Sequence, residues 1–156
     1  MNSKEVIMYN WDKVTTTGTF TLPALNTLAG RTQRECIEKL IKGGVTTGWP
    51  IWPQQQNIST YNVKFTTPQS IKPEEIGFFT ERNPNSYDYS IADYTYFIEY
   101  DVHNKWPRNI NNIGQKRYIF SKEYNENDNN TPRYFRGLYA IVGVSQDGRV
   151  TIWKRQ

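Results

Sequence analysis

Residues 133–154 read RYFRGLYAIVGVSQDGRVTIWK, and this segment contains the strongest indication of secondary structure in the chain. Two runs rich in aromatic and β-branched residues, Arg133–Val144 and Arg149–Lys154, flank the turn sequence Gln146-Asp147-Gly148. Asp-Gly between two such runs is a strong short-range signal for a β-hairpin. The C-terminal end of the chain is therefore predicted to be a pair of antiparallel strands.

Further strands are predicted upstream of this hairpin. Residues 94–102 (YTYFIEYDV) alternate, and one face is predicted to carry Tyr94, Tyr96, Ile98 and Tyr100. The other face is predicted to carry Thr95, Phe97, Glu99 and Asp101. Lys116–Ser121 and Thr60–Thr66 have similar β-rich compositions.

One main helix is predicted at about residues 32–42. Thr32 can cap it with Glu35 three residues on, Ile37, Leu40 and Ile41 fall at helical spacing, and Gly43-Gly44 stops it. The spacing of Leu25 and Leu28 also favours helix. The fold class is therefore α+β and β-dominated, a curved antiparallel sheet or small, partly open barrel, with residues 1–156 as a single domain.

The composition is that of a folded protein with an aromatic core. Only 37% of residues are hydrophobic, but 15% are aromatic, and large rings bury much area per residue. The single cysteine, Cys36, excludes an intramolecular disulfide and is predicted to be buried and inert. No signal peptide or membrane-spanning run is seen, which favours a cytoplasmic protein without a membrane partner. Abundant Asn, Lys, Ile and Tyr are typical of AT-rich bacterial or phage genomes.

Charge is sorted along the chain. Residues 74–101 carry seven acidic residues against one basic, whereas residues 103–156 carry ten basic against four acidic. Cations mixed with aromatic rings suit single-stranded nucleic acid, which is both anionic and stackable. The leading hypothesis is a nucleic-acid-binding protein without catalysis and without a cofactor. Its candidate binding residues are Lys105, Trp106, Arg108, Lys116, Arg117, Arg133, Tyr134, Arg136, Lys154 and Arg155.

A second hypothesis is a metal-dependent phosphodiesterase or nuclease. In one unbroken strand Asp93, Glu99 and Asp101 would point the same way, with His103 close behind as a general acid or base. Glu99 and Asp101 could then hold Mg²⁺ or Mn²⁺. No lysine follows two residues after an acid in this stretch, so the restriction-nuclease pattern is missing. The alternative interpretation of the same pattern is a solvent-exposed sheet face.

A third hypothesis is a protein-interaction module, such as a phage-encoded inhibitor, or a carbohydrate-binding module. Trp49, Trp52 and Trp106 lie in proline-containing segments, where rings are less easily buried than in strands. Sugars stack on exposed rings without any need for net charge. The sequence leaves the ligand and the oligomeric state open.

Overall fold

The computed structural model describes residues 13–16, 19–42, 60–65, 75–84, 87–102, 112–128 and 130–156. Within them lie eleven strands and one helix, α1 (Gln33–Glu38). The strands are β1 (Lys13–Thr16), β2 (Thr19–Phe20), β3 (Thr27–Gly30), β4 (Ile41–Lys42), β5 (Thr60–Phe65), β6 (Glu75–Glu81), β7 (Tyr87–Ile91), β8 (Tyr96–Tyr100), β9 (Lys116–Glu123), β10 (Arg133–Val144) and β11 (Val150–Arg155). None of the described helical residues forms a segment long and apolar enough to cross a bilayer.

Six strands close into a barrel in the order β6–β7–β8–β11–β10–β9, and β9 pairs back onto β6. The predicted β-dominated α+β fold is therefore confirmed, and the barrel is closed, whereas the sequence predicted an antiparallel sheet or a partly open barrel. The sheet is mixed, because β6 pairs in parallel with both β7 and β9, whereas the other neighbours around the barrel are antiparallel. The hairpin predicted at residues 133–154 is β10–β11, and the Gly148 φ of 76° lies in its connecting turn.

The apolar core has two parts on opposite sides of the barrel wall. The first fills the barrel and consists of Phe79, Phe97, Ile119, Tyr139, Ile141 and Trp153. The second lies outside β6, β9 and β10, where Cys36, Ile37 and Leu40 pack with strand residues such as Phe78, Tyr118, Phe120 and Phe135. The helix thus covers one outer side of the barrel.

The helix begins where predicted but ends sooner. The Thr32 hydroxyl accepts a hydrogen bond from the Glu35 backbone N–H at 3.1 Å, as expected of the cap. The helical prediction is wrong beyond Glu38, because Ile41–Lys42 pairs with Thr19–Phe20 as a small second sheet. It is also wrong around Leu28, because Thr27–Gly30 pairs with β10. In both places strand pairing overrides local spacing.

Gly137 allows a close approach beside the kink of β10. Its φ of +118° lies in a region that side chains disfavour, and the pairing of β10 with β9 shifts register between Phe135 and Gly137. A Cβ at this position would come within 2.9 Å of the Leu25 side chain. The kink changes which face of β10 points inward: Tyr134 and Arg136 face inward before it, and Tyr139 and Ile141 after it.

Candidate nucleic-acid interface

The acidic strand proposed as a metal site does not have the predicted extent. β8 begins at Tyr96, because Ala92, Asp93 and Tyr94 all have positive φ and form the turn from β7. Asp93 is exposed in that turn, whereas Glu99 and Asp101 are buried. The interpretation of this face as solvent-exposed is also wrong, since Phe97 and Glu99 point into the barrel.

The three predicted acidic residues are therefore not brought to one accessible surface. The Glu99 Oε1 accepts a hydrogen bond from the Trp153 indole N–H at 3.1 Å. In the part of the chain that the structure describes, no three acidic, histidine or cysteine side chains group as a metal site would require. His103 lies outside the described residues.

Of the ten candidate binding residues, Lys105, Trp106 and Arg108 lie outside the described residues. Three others are buried arginines with internal partners. Arg117 lies over the Trp153 ring at 4.7 Å, and the Arg133 Nη1 donates to the Arg31 carbonyl. Arg136 enters a polar network inside the barrel. In this state these guanidinium groups do not lie on an open surface.

The remaining four candidates differ in exposure. Lys116 and Lys154 are exposed, and Tyr134 and Arg155 are partly buried. The Tyr134 ring lies 5.1 Å from the Arg136 guanidinium. Arg155 is the cross-strand partner of Tyr139, whose ring lies in the barrel core, so the Arg155 side chain is directed towards the barrel interior. Only the two lysines project from the outer wall.

These two lysines lie in one cross-strand row. Ala140 of β10 pairs with Lys154 on one side and with Lys116 on the other. Lys154 in turn is the partner of Tyr96, and Tyr96 is the partner of Ile91. With strands about 4.8 Å apart, the row places Lys116 and Lys154 about 10 Å from each other.

Two more rows complete the exposed side of the wall. Tyr89, Ile98 and Ile152 are paired across β7, β8 and β11, and Tyr100 is paired with Val150. We call this surface the outer aromatic face and define it by Tyr89, Ile91, Tyr96, Ile98, Tyr100, Val150, Ile152 and Lys154. The side chains of this face are exposed or partly exposed, and Tyr89 and Ile91 retain 36% and 46% of their surface.

Cations lie beside the rings of this face. The Lys154 ammonium is 6.0 Å from the Tyr96 ring centroid, and the Arg149 guanidinium is 5.3 Å from that of Tyr100. Arg149 is held in place because it donates to the carbonyls of Asp101 and Val102 at 3.1 and 2.6 Å. The geometry combines stacking surfaces with positive charge.

Every carboxylate of β7, β8 and β11 points away from this face. Those strands contain two acidic residues, Asp88 and Glu99, and both are buried. The acidic segment of the sequence therefore does not oppose an anion on the outer aromatic face. Sequence reasoning missed Tyr89 and did not treat Tyr96 and Tyr100 as binding residues, although the Tyr-x-Ile-x-Tyr alternation at 96–100 had already placed the latter two on one face.

Cys36 offers no reactive group. Burial raises the pKa of its thiol to about 12, and the nearby Arg133 lowers it less. We expect Cys36 to react with a thiol reagent at pH 8 only as fast as the protein opens, so mild denaturant should accelerate labelling steeply. Rapid, denaturant-independent labelling of the native protein would show that the thiol is accessible.

No protein-family model matches this chain, and no curated protein matches it significantly.

Proposed function

We propose that this protein binds single-stranded nucleic acid on the outer aromatic face, in the cytoplasm and without catalysing a reaction. One observation carries the proposal: three partly exposed tyrosine rings lie on a sheet face with Lys154 and Arg149 beside them, and the acidic residues of the same strands point inward. Bases stack on such rings, and the cations neutralise phosphates.

The row through Tyr96, Lys154 and Lys116 supports a path for the ligand across the strands. A strand whose bases stack near β7 and β8 would then pass its phosphates over two lysines of the neighbouring strands. A duplex hides its bases from such rings, so the proposal favours single strands over duplexes of the same length.

The first prediction concerns the Tyr96 ring. Replacing Tyr96 with alanine should remove one stacking partner and weaken binding of a labelled single-stranded oligonucleotide by about 1–3 kcal/mol, or about 5- to 150-fold. Tyr96→Phe keeps the ring and is the matched control, which should bind nearly as wild type. Equal affinities of the alanine variant and wild type, measured by fluorescence anisotropy, would contradict the proposal.

The second prediction concerns salt. Binding should weaken as salt is raised, and Lys154→Gln should reduce the slope of log affinity against log salt by about 0.7 for a single strand. Lys39→Gln is the matched control, because Lys39 is an exposed cation at the end of α1, on the helix-covered side of the barrel. If Lys154→Gln leaves the slope of log affinity against log salt unchanged, the phosphates of the ligand do not contact Lys154.

The same titrations separate the other classes of ligand. Glycans that quench tyrosine or tryptophan fluorescence without salt dependence would favour a carbohydrate-binding module. Absence of nucleic-acid and glycan binding would leave a protein partner, as for an inhibitor, as the working hypothesis.

A further inference from the structure

Three acidic residues lie at paired positions of neighbouring strands and face the barrel interior. Asp88 of β7 is paired across the sheet with Glu99 of β8 and with Glu81 of β6. All three are buried. Like charges directly opposite each other on one face of a sheet destabilise it, and burial in a low dielectric increases that cost.

Glu81 and Glu99 are each compensated by donors. The Glu81 oxygens accept hydrogen bonds from Ser90 and Ser121, and the Arg136 Nη2 lies 3.8 Å from the Oε2. Glu99 accepts from the indole of Trp153, whose ring is in turn covered by Arg117 of β9. The carboxyl groups of both residues therefore have hydrogen-bond donors.

Of the three carboxyl groups, that of Asp88 has the fewest hydrogen-bond donors and cations beside it. It receives a backbone hydrogen bond from Thr80. The residue is only 6% exposed, and its Oδ1 is completely buried. This oxygen nevertheless has no hydrogen-bond partner in the structure. The charged groups that act on it, Glu99 from β8 and Glu81 from β6, are both negative. A buried, unpaired carboxylate oxygen beside other carboxylates is costly, and a proton on it removes the cost.

We propose that Asp88 holds a proton in the folded protein at neutral pH, directed towards Glu99, and that release of this proton to solvent loosens β7 and β8. These two strands also carry Tyr89, Tyr96 and Tyr100 on their opposite side. The outer aromatic face is therefore coupled to the protonation of Asp88. This last step rests on the proposed function, whereas the proton itself does not.

The sign of the pH effect follows from the direction of the shift. Burial first, and then the charges of Glu99 and Glu81, raise the pKa of Asp88 well above the ordinary 3.8. Above that ordinary value the unfolded chain releases a proton that the folded protein keeps. Stability should therefore fall as pH rises from about 4 towards the raised pKa and level off above it.

The experiment compares wild type with Asp88→Asn in urea unfolding across this pH range. Through the window the unfolding equilibrium constant of wild type should rise about tenfold per pH unit relative to that of the Asn variant, which holds the neutral form permanently. Glu126→Gln, a change at an exposed loop acid, is the control and should keep the wild-type profile. Identical pH profiles of wild type and Asp88→Asn would overturn the proposal.

A direct readout keeps the proposal testable even if Asp88→Asn fails to fold. The carboxyl ¹³C resonance of Asp88 in wild type should show the protonated form at neutral pH. Glu99→Gln supplies an amide donor and should return the titration of Asp88 towards lower pH. A wild-type resonance that titrates near the ordinary value would overturn the proposal.

The coupling to binding is measured separately. Oligonucleotide affinity should weaken at alkaline pH in wild type more than in Asp88→Asn. Parallel loss in both proteins would refute the coupling. If no oligonucleotide binds but the carboxyl group of Asp88 is protonated, the proposed function is refuted, whereas the proposal that Asp88 holds a proton stands.

Discussion

Replacing Trp153 with alanine is expected to destabilise the protein by about 3–5 kcal/mol. Trp153 is fully buried inside the barrel, with the Phe79 ring 6.0 Å away in an edge-on arrangement. Its removal leaves a large cavity, and it also strips Glu99 of the indole donor. Because domains of this size are stable by only about 5–15 kcal/mol, much of the net stability should be lost.

The measurement is urea or thermal unfolding followed by circular dichroism. Lys154→Ala is the matched control, since Lys154 is the next residue of the same strand and lies on the outer side of the wall. It should change stability by less than about 0.5 kcal/mol. Similar effects of the two substitutions would show that Trp153 does not anchor the barrel interior.

Replacing Arg136 with methionine is expected to cost about 3–5 kcal/mol, because it leaves Glu81 buried without its cation. Arg136 donates to the Ser121 hydroxyl at 2.9 Å and to the Asn26 Oδ1 at 3.1 Å, and it lies 3.7 Å from the Tyr94 ring centroid. The network ties β10 to β9 and to the turn that precedes β8. Unfolding in urea measures the loss.

The double variant Glu81→Gln with Arg136→Met tests the mechanism of that loss. Once the buried carboxylate is neutral, the absence of the guanidinium should cost less, so the double variant should be more stable than Arg136→Met alone. Strictly additive losses would mean that Arg136 stabilises the fold by packing on Tyr94 and not through the charge on Glu81.

Much of the barrel could be predicted because its strands alternate. β8 and the β10–β11 hairpin have inner and outer faces of different composition, so period-two patterns revealed them. The sequence did not predict β6, because its side chains are buried on both faces of the strand. Ile76 and Phe78 pack under α1 on the outer side of the barrel wall, whereas Phe79 and Glu81 face the barrel interior. A strand buried on both faces shows no alternation.

The candidate site was predicted less well, because the position of a charged residue in the sequence does not show whether its side chain points into the barrel or towards solvent. The acidic residues between 81 and 101 include four that are buried, and three of the candidate arginines are buried as well. Both faces of β8 carry aromatic rings, so the alternation placed Tyr96 and Tyr100 together but did not tell whether they or Phe97 faced solvent. Only the closure of the barrel, with α1 on its other side, decides that.

The proposed function requires that single-stranded nucleic acid bind to the outer aromatic face. The most direct test is to follow backbone amide resonances during titration with a short single-stranded oligonucleotide at low salt. We expect the perturbed amides to concentrate in β7, β8 and β11, around Tyr89, Tyr96 and Lys154, and the amides of α1 to remain unchanged. Perturbed amides centred on α1 would contradict the proposed binding surface. The complete absence of perturbed amides, at an oligonucleotide concentration high enough to saturate even a weak site, would contradict it as well.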